Sequence, residues 1–201
     1  MKKKYKCKLL PYTKTKYVSL LNSNQKTGWG ITAFDLPKAW QVTQGDGIKI
    51  AVLDTGADLD HQDISENLLQ GINLIEKNSP PEDDNGHGTH VTGILVASNN
   101  DIGMVGVCPK AKVIPVKILD KNGNGNLFLV SDGIRWAADQ GVDFITMSLG
   151  SPMKVQSVRN AIIYAQSKGV VVFCAAGNAG MTKEIFYPAN YKETISIGAI
   201  K

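Results

Sequence analysis

The hydrophobic positions of this chain fall into short apolar runs separated by longer stretches with helical spacing. "GIKIAVLD" (47–54) is an apolar run bounded by glycine and aspartate, which predicts a buried strand. "HGTHVTGILVAS" (87–98) places its apolar residues at helical intervals. "AKVIPVKIL" (111–119) predicts a strand whose proline sets it near an edge or a bulge. "LFLVSDGIRWAADQG" (127–141) and "VQSVRNAIIYAQSKG" (155–169) predict helices, each closed by glycine. "VDFITMSLG" (142–150), "VVVFCAAGN" (170–178) and "TISIGAI" (194–200) predict further strands. Strands alternating with helices of this length imply right-handed crossovers and a parallel α/β sheet.

In such sheets, function gathers beyond the carboxyl ends of the strands. Polar residues sit there: Asp54 ends the first strand, Ser148-Leu149-Gly150 ends the third and Asn178 ends the fourth, while His87 opens a helix. A zinc site of the His-Glu-x-x-His type is excluded, because His87-Gly-Thr-His90 lacks the glutamate. No dinucleotide fingerprint follows a strand, and no phosphate-binding loop is present. Asp54 as a mere turn former, with His87 as an ordinary polar loop residue, is the plainer alternative. A hydrolytic triad uses more of the pattern: a buried carboxylate orients an imidazole base, and an amide donor meets the oxyanion.

Length and composition suit one globular domain with a sizeable core. The net charge of +4 is unevenly spread. Seven lysines fall within residues 1–16, whereas residues 17–201 carry 15 basic and 18 acidic side chains. A mildly acidic body therefore bears a basic N-terminal extension (1–25), ahead of the body at 26–201. Lysine or proline every few positions breaks any signal-like apolar stretch, so a secretory leader is not expected. With no aromatic platform and an acidic body, nucleic acid is not an expected partner. No run reaches the roughly 18 apolar residues of a membrane span. Cys7, Cys108 and Cys174 have no metal-type spacing and read as reduced thiols, which points to the cytoplasm.

"AVLDTGADLDHQD" (51–63), "NGHGTHVTG" (85–93), "MSLGS" (147–151) and "AAGN" (175–178) together resemble the subtilisin-like serine proteases, from about Trp29 onward. The resemblance implies a three-layer α/β/α fold around a mostly parallel sheet, and peptide-bond hydrolysis by an Asp-His-Ser triad. The roles are the family's, transferred position by position. Asp54 corresponds to the triad aspartate, His87 to the general base and Asn178 to the oxyanion donor. Ser148, Leu149 and Gly150 resemble one substrate-pairing edge, and Gly123 and Gly125 of "NGNG" the opposite edge. Ala175 and Gly177 resemble the floor of the first specificity pocket. "SNNDIGM" (98–104) resembles the family's structural calcium loop, with Asp63, Asn100 and the carbonyls of Ser98, Ile102 and Met104 as ligands.

"KLLPY" (8–12) resembles the segment at the start of intracellular subtilisins that lies across the active site as an inhibitor. Pro11 would stiffen it and spoil the register for cleavage. The partners so implied are polypeptide substrates, the chain's own extension and, as an option, a second copy in a homodimer. The family's Gly-Thr-Ser nucleophile is missing: Ser196, the only serine after Asn178, falls inside a predicted strand. The expectation is a subtilisin-like domain incomplete at its C-terminus, inactive alone and short of core. The alternatives are a peptide-binding pseudoprotease or one half of a split enzyme.

Overall fold

The computed structural model describes residues 5–9, 25–178 and 184–200. Its elements are β1 (Lys6–Leu9), α1 (Trp29–Ala33), α2 (Leu36–Trp40), β2 (Lys49–Asp54), β3 (Ile72–Asn73), α3 (His87–Val96), β4 (Lys112–Lys117), β5 (Asn124–Asn126), α4 (Leu127–Asp139), β6 (Phe144–Met147), β7 (Leu149–Gly150), α5 (Gln156–Ser167), β8 (Val171–Ala175) and β9 (Ile195–Ile197). Six strands form one sheet in the order β3-β4-β2-β6-β8-β9. Every pairing within it is parallel.

Side-chain alternation along β2 builds the layers. Ala51 and Leu53 join the large core with Ile134, Ala137 and Ile162 of α4 and α5. Ile50 and Val52 point the other way and pack with Val96, Val91 and Leu95 of α3. Helices therefore cover both faces, the predicted α/β/α arrangement. Leu53, Ile134, Ile145 and Ile162 are among the largest fully buried side chains, each worth about 1.5–3 kcal/mol of transfer free energy. On the α3 side Trp29, Phe34 and Ile94 remain exposed.

Local side-chain and backbone chemistry sets the helix ends, and the glycine stops are the predicted ones. The Asn126 side chain caps α4 by accepting from the Phe128 N–H at 2.9 Å. Gly141 and Gly169, just past α4 and α5, take the left-handed backbone that stops a helix. Pro115 lies near a sheet edge as predicted: among the described residues, the sheet beyond β4 holds only the two-residue β3, which pairs with Val116 and Lys117. One predicted element divides. Residues 142–150 are not a single strand, because β6 stays in the parallel sheet while β7 turns away at Ser148 into a second sheet.

That second sheet has the order β5-β1-β7. Its central strand, β1, comes from the N-terminal extension and pairs antiparallel on both sides. Cys7 faces Gly125 and Lys8 faces Asn124 across one ladder; Lys8 faces Gly150 and Leu9 faces Leu149 across the other. The rest of the segment expected to be inhibitory, Leu10 to Tyr12, lies outside the described residues.

Candidate active site

Parallel pairing of neighbouring β2, β6 and β8 brings their carboxyl ends to one edge of the sheet. Asp54, Ser148 and Asn178 end or follow these three strands. Asp54 is 1% exposed. Its Oδ1 lies 2.8 Å from His87 Nδ1 and accepts the Thr55 N–H at 2.7 Å. The His87 side chain is 13% exposed, so the pair opens to solvent only on the imidazole side. A carboxylate bound to Nδ1–H fixes the tautomer in which Nε2 carries the lone pair, as a general base needs. Asn178 is exposed in the turn after β8.

Residues that the sequence reading passed over hold this pair in place. Asp83 lies four residues before His87, and its carboxylate gathers the loop. Oδ1 accepts from the Asn85 N–H at 3.0 Å, the Gly86 N–H at 2.9 Å and the Thr55 hydroxyl at 2.8 Å. Oδ2 accepts from the Thr89 N–H at 2.9 Å and the Thr89 hydroxyl at 2.6 Å. Burial alone would raise the Asp83 pKa, but these donors outweigh it and hold the carboxyl below the usual carboxylate range. The Thr55 hydroxyl in turn accepts the Gly88 N–H at 2.9 Å, tying the start of α3 to the end of β2. Lys117, buried at the end of β4 opposite Asp54, donates to the Thr55 carbonyl at 2.6 Å and to Asp84 Oδ1 at 2.6 Å. Its place inside the apolar stretch 113–119, with apolar residues on both sides, was the available signal for it.

The two predicted substrate edges lie close by. The Ile118 and Leu119 N–H groups donate to the Asp54 carbonyl at 2.9 and 3.2 Å, and Leu119 bridges to Gly125. Gly123 and Gly125 border one side of β1, and Leu149 and Gly150 the other. Ser148 is the joint between β6 and β7. Ala175 ends β8, and Gly177 packs so closely on Phe186 that a Cβ there would fall 2.6 Å from Cδ2 of that ring. Ser196 lies in β9, as its sequence context predicts.

The predicted calcium residues also converge. The Asp63 carbonyl accepts the Ser98 N–H at 2.8 Å, and its Oδ2 accepts the Met104 N–H at 3.2 Å. Asn100 Oδ1 accepts the Ile102 N–H at 3.2 Å. Asp63 Oδ1 is buried with no hydrogen-bond partner, a state that costs free energy unless something else meets it. Gln25, which the sequence reading did not select, directs its amide at the Ser98 carbonyl and Asn100; a half-turn of that amide presents its oxygen instead. Among the described residues no cluster of three or more His, Cys, Asp or Glu could hold a metal. One carboxylate with amide and carbonyl oxygens is a donor set for a hard cation of calcium type.

All three cysteines are free; burial pushes the Cys7 and Cys174 thiols up to about 12. No helix among the described residues is long and apolar enough to cross a membrane.

Comparison with known proteins agrees with this arrangement. The chain is 40% identical over 203 residues to an intracellular serine protease of Paenibacillus polymyxa, covering 97% of this chain and 61% of the relative. It is 38% identical over 203 residues to the major intracellular serine protease of Bacillus subtilis (strain 168), covering 96% and 63%. Against thermitase of Thermoactinomyces vulgaris it is 40% identical over 172 residues, covering 85% and 61%. The chain thus spans about three-fifths of the length of these curated relatives. The family model described as "Subtilase family" matches residues 45–201, a stretch that contains both Asp54 and His87. With the parallel sheet and this match in agreement, the chain belongs to the subtilase family of serine peptidases.

Proposed function

We propose that this chain supplies the aspartate, the general base and the oxyanion amide of a serine endopeptidase that works inside the cell on polypeptide substrates. The observation that carries the reading is the 2.8 Å contact between His87 Nδ1 and an Asp54 carboxylate shut away from water. In the reaction, His87 Nε2 takes the proton of the attacking serine and returns it to the leaving amine. Asp54 stabilises the imidazolium formed between those steps, an effect strengthened by its burial. Asn178 donates its amide to the oxyanion of the tetrahedral intermediate. No Gly-Thr-Ser motif occurs after Asn178, so the nucleophile comes from outside these 201 residues.

The N-terminal extension supports the intracellular reading, since β1 fills the groove between the two edges where a substrate strand would pair. In this reading the extension inhibits the enzyme until it is displaced or removed.

A fluorophosphonate probe, which reacts only with an activated serine, tests the function on protein isolated from its own cells. We expect one labelled serine, with labelling lost in His87→Ala. A labelled species heavier than 21.7 kDa places the serine on the same polypeptide; a labelled separate chain makes this a split enzyme. If no species reacts, the peptidase reading is wrong and a peptide-binding protein replaces it.

We also propose that Asp63, Asn100, Gln25 and the carbonyls of Ser98, Ile102 and Met104 hold a structural calcium ion, which would neutralise the unpartnered Asp63 oxygen. Calcium at a hundredfold excess over its Kd is expected to add about 2.7 kcal/mol of stability. That corresponds to a rise in Tm of about 5–11 °C for a domain of this size. A Tm that is the same in calcium and in chelator would remove the ion from the account.

A further inference from the structure

Among the described residues Lys117 is the only buried lysine or arginine, at 5% exposure. It ends β4 beside Asp54, its partner in the parallel register. The two side chains share a face of the sheet. Ile50 and Val52 of β2 pack with Val113 of β4 and with α3, while Ala51, Leu53, Ile114 and Val116 join the opposite core. Alternation therefore turns Asp54 and Lys117 toward the side of α3, the helix that His87 opens.

Stability alone does not account for a cation enclosed there. Its desolvation cost is large, and replacing a buried ion pair by apolar side chains is often neutral or stabilising. What the ammonium does is join the two segments that carry the triad residues. It donates to the Thr55 carbonyl at 2.6 Å and to Asp84 Oδ1 at 2.6 Å. Thr55 follows the triad aspartate, and Asp84 lies three residues before His87. Thr55 is fully buried and engaged at every polar group. Its N–H donates to Asp54 Oδ1 at 2.7 Å, and its hydroxyl donates to Asp83 Oδ1 at 2.8 Å and accepts the Gly88 N–H at 2.9 Å. Lys117 holds the remaining group, the carbonyl. The Asp84 side chain is 52% exposed, so the loop end of this link lies at the surface and the strand end in the core.

We propose that Lys117 is a positioning residue for the peptidase reaction: it clamps the residue after Asp54 to the loop before His87 and so maintains the 2.8 Å contact between the two. It touches neither substrate nor the reacting atoms and acts through Thr55 and Asp84. This rests on the reading of Asp54 and His87 as the aspartate and base of a triad. An ammonium suits the task because it donates in several directions at once, here to a carbonyl and to a carboxylate, which no apolar side chain of its length can do.

The test is Lys117→Met in the intact enzyme, since methionine fills a similar length without a donor. Wild type and variant are compared by kcat and KM on a peptide substrate, and by the rate of fluorophosphonate labelling, which needs the activated serine but no bound peptide. Both kcat and the labelling rate are expected to fall by about tenfold to a hundredfold, the loss that a small misplacement of catalytic groups produces, with KM within about twofold of wild type. The Tm is expected to stay within about 6 °C of wild type, because relief of the buried charge offsets the two lost bonds. A lysine that only supported the fold would instead lower the Tm and leave kcat per labelled site unchanged. Asp84→Ala removes one arm of the clamp at the surface, where water can meet the ammonium; a smaller fall in kcat, of about threefold, is expected because Thr55 stays held. Wild-type kcat in Lys117→Met overturns the clamp, while labelling of the wild-type serine leaves the triad reading in place. If the methionine variant does not fold, Asp84→Ala decides: unchanged kcat overturns the proposal, and a fall at constant KM supports it. If the wild-type enzyme itself takes no label, the triad reading fails and the clamp with it.

Discussion

Asp54→Ala is expected to lower kcat of the intact enzyme by about four orders of magnitude while leaving the fold in place. The size of the loss is that of triad dissection in subtilisins themselves, not one derived from this geometry. Its cause is visible here. Without the carboxylate, His87 Nδ1 loses its 2.8 Å partner, and neither tautomer nor ring orientation is held. The fold survives because alanine removes a buried charge together with its desolvation cost, leaving only the Thr55 N–H to find water. Asp54→Asn separates the causes. Its amide oxygen at the Oδ1 position keeps the acceptor for Thr55 N–H and His87 Nδ1, so the tautomer is preserved, while the charge is lost and the NH2 takes the buried Oδ2 position, which has no hydrogen-bond partner. An asparagine variant close to wild type would make orientation the main role of Asp54; one as slow as alanine would assign it to charge. An alanine variant losing less than tenfold would contradict the triad reading altogether.

Gly88→Ala is expected to be the most damaging single methyl group near the site. Gly88 is buried in the first turn of α3, and a Cβ added there would lie 2.1 Å from the Gly56 carbonyl oxygen. The obstacle is backbone and cannot rotate away. Gly56 cannot retreat either, since its own missing Cβ space is bounded by the Pro81 carbonyl at 2.4 Å. The start of α3 must therefore lift, breaking the 2.9 Å bond from Gly88 N–H to Thr55 and parting His87 from Asp54. A loss of about 4 kcal/mol is expected, at the severe end for one substitution. Thermal melting followed by circular dichroism should show a Tm lower by about 8–16 °C. A variant within 2 °C of wild type would mean that α3 docks with more slack than these contacts allow.

Much of the site could be read before any coordinates. Asp54 at the end of an apolar run and His87 at a helix start stand out because sheets of this kind present polar residues at strand ends. Asp83 and Lys117 did not stand out. An aspartate among "EDDNG" resembles any polar turn, and one lysine in β4 resembles a solvated position. Only the packed structure shows five donors converging on Asp83, and the Lys117 ammonium enclosed between the Thr55 carbonyl and Asp84. Gln25 was missed for the same reason: it lies 73 residues from Ser98, and nothing local marks it.

The division of residues 142–150 is instructive. Their continuous apolar character reads as one strand, yet β7 pairs with β1, far away in sequence. Periodicity reports which side chains avoid water, and it is blind to which edge a backbone will meet.

What the sequence determined by itself is the local and the additive. The alternation of elements, the glycine stops of α4 and α5, the basic extension and the presence of the aspartate, the histidine and the asparagine depend on side-chain chemistry within a few residues. The tertiary structure decided which of these groups touch. Parallel pairing of β2, β6 and β8 put three strand ends side by side, and two open edges, β5 and β7, took the N-terminal segment as their shared partner. Unpaired backbone N–H and C=O groups at an edge accept any strand of fitting shape. In the folded chain that strand is β1, whose inward residues Tyr5, Cys7 and Leu9 meet Phe128, Gly125 and Gly123, contacts that exist only once the chain has folded.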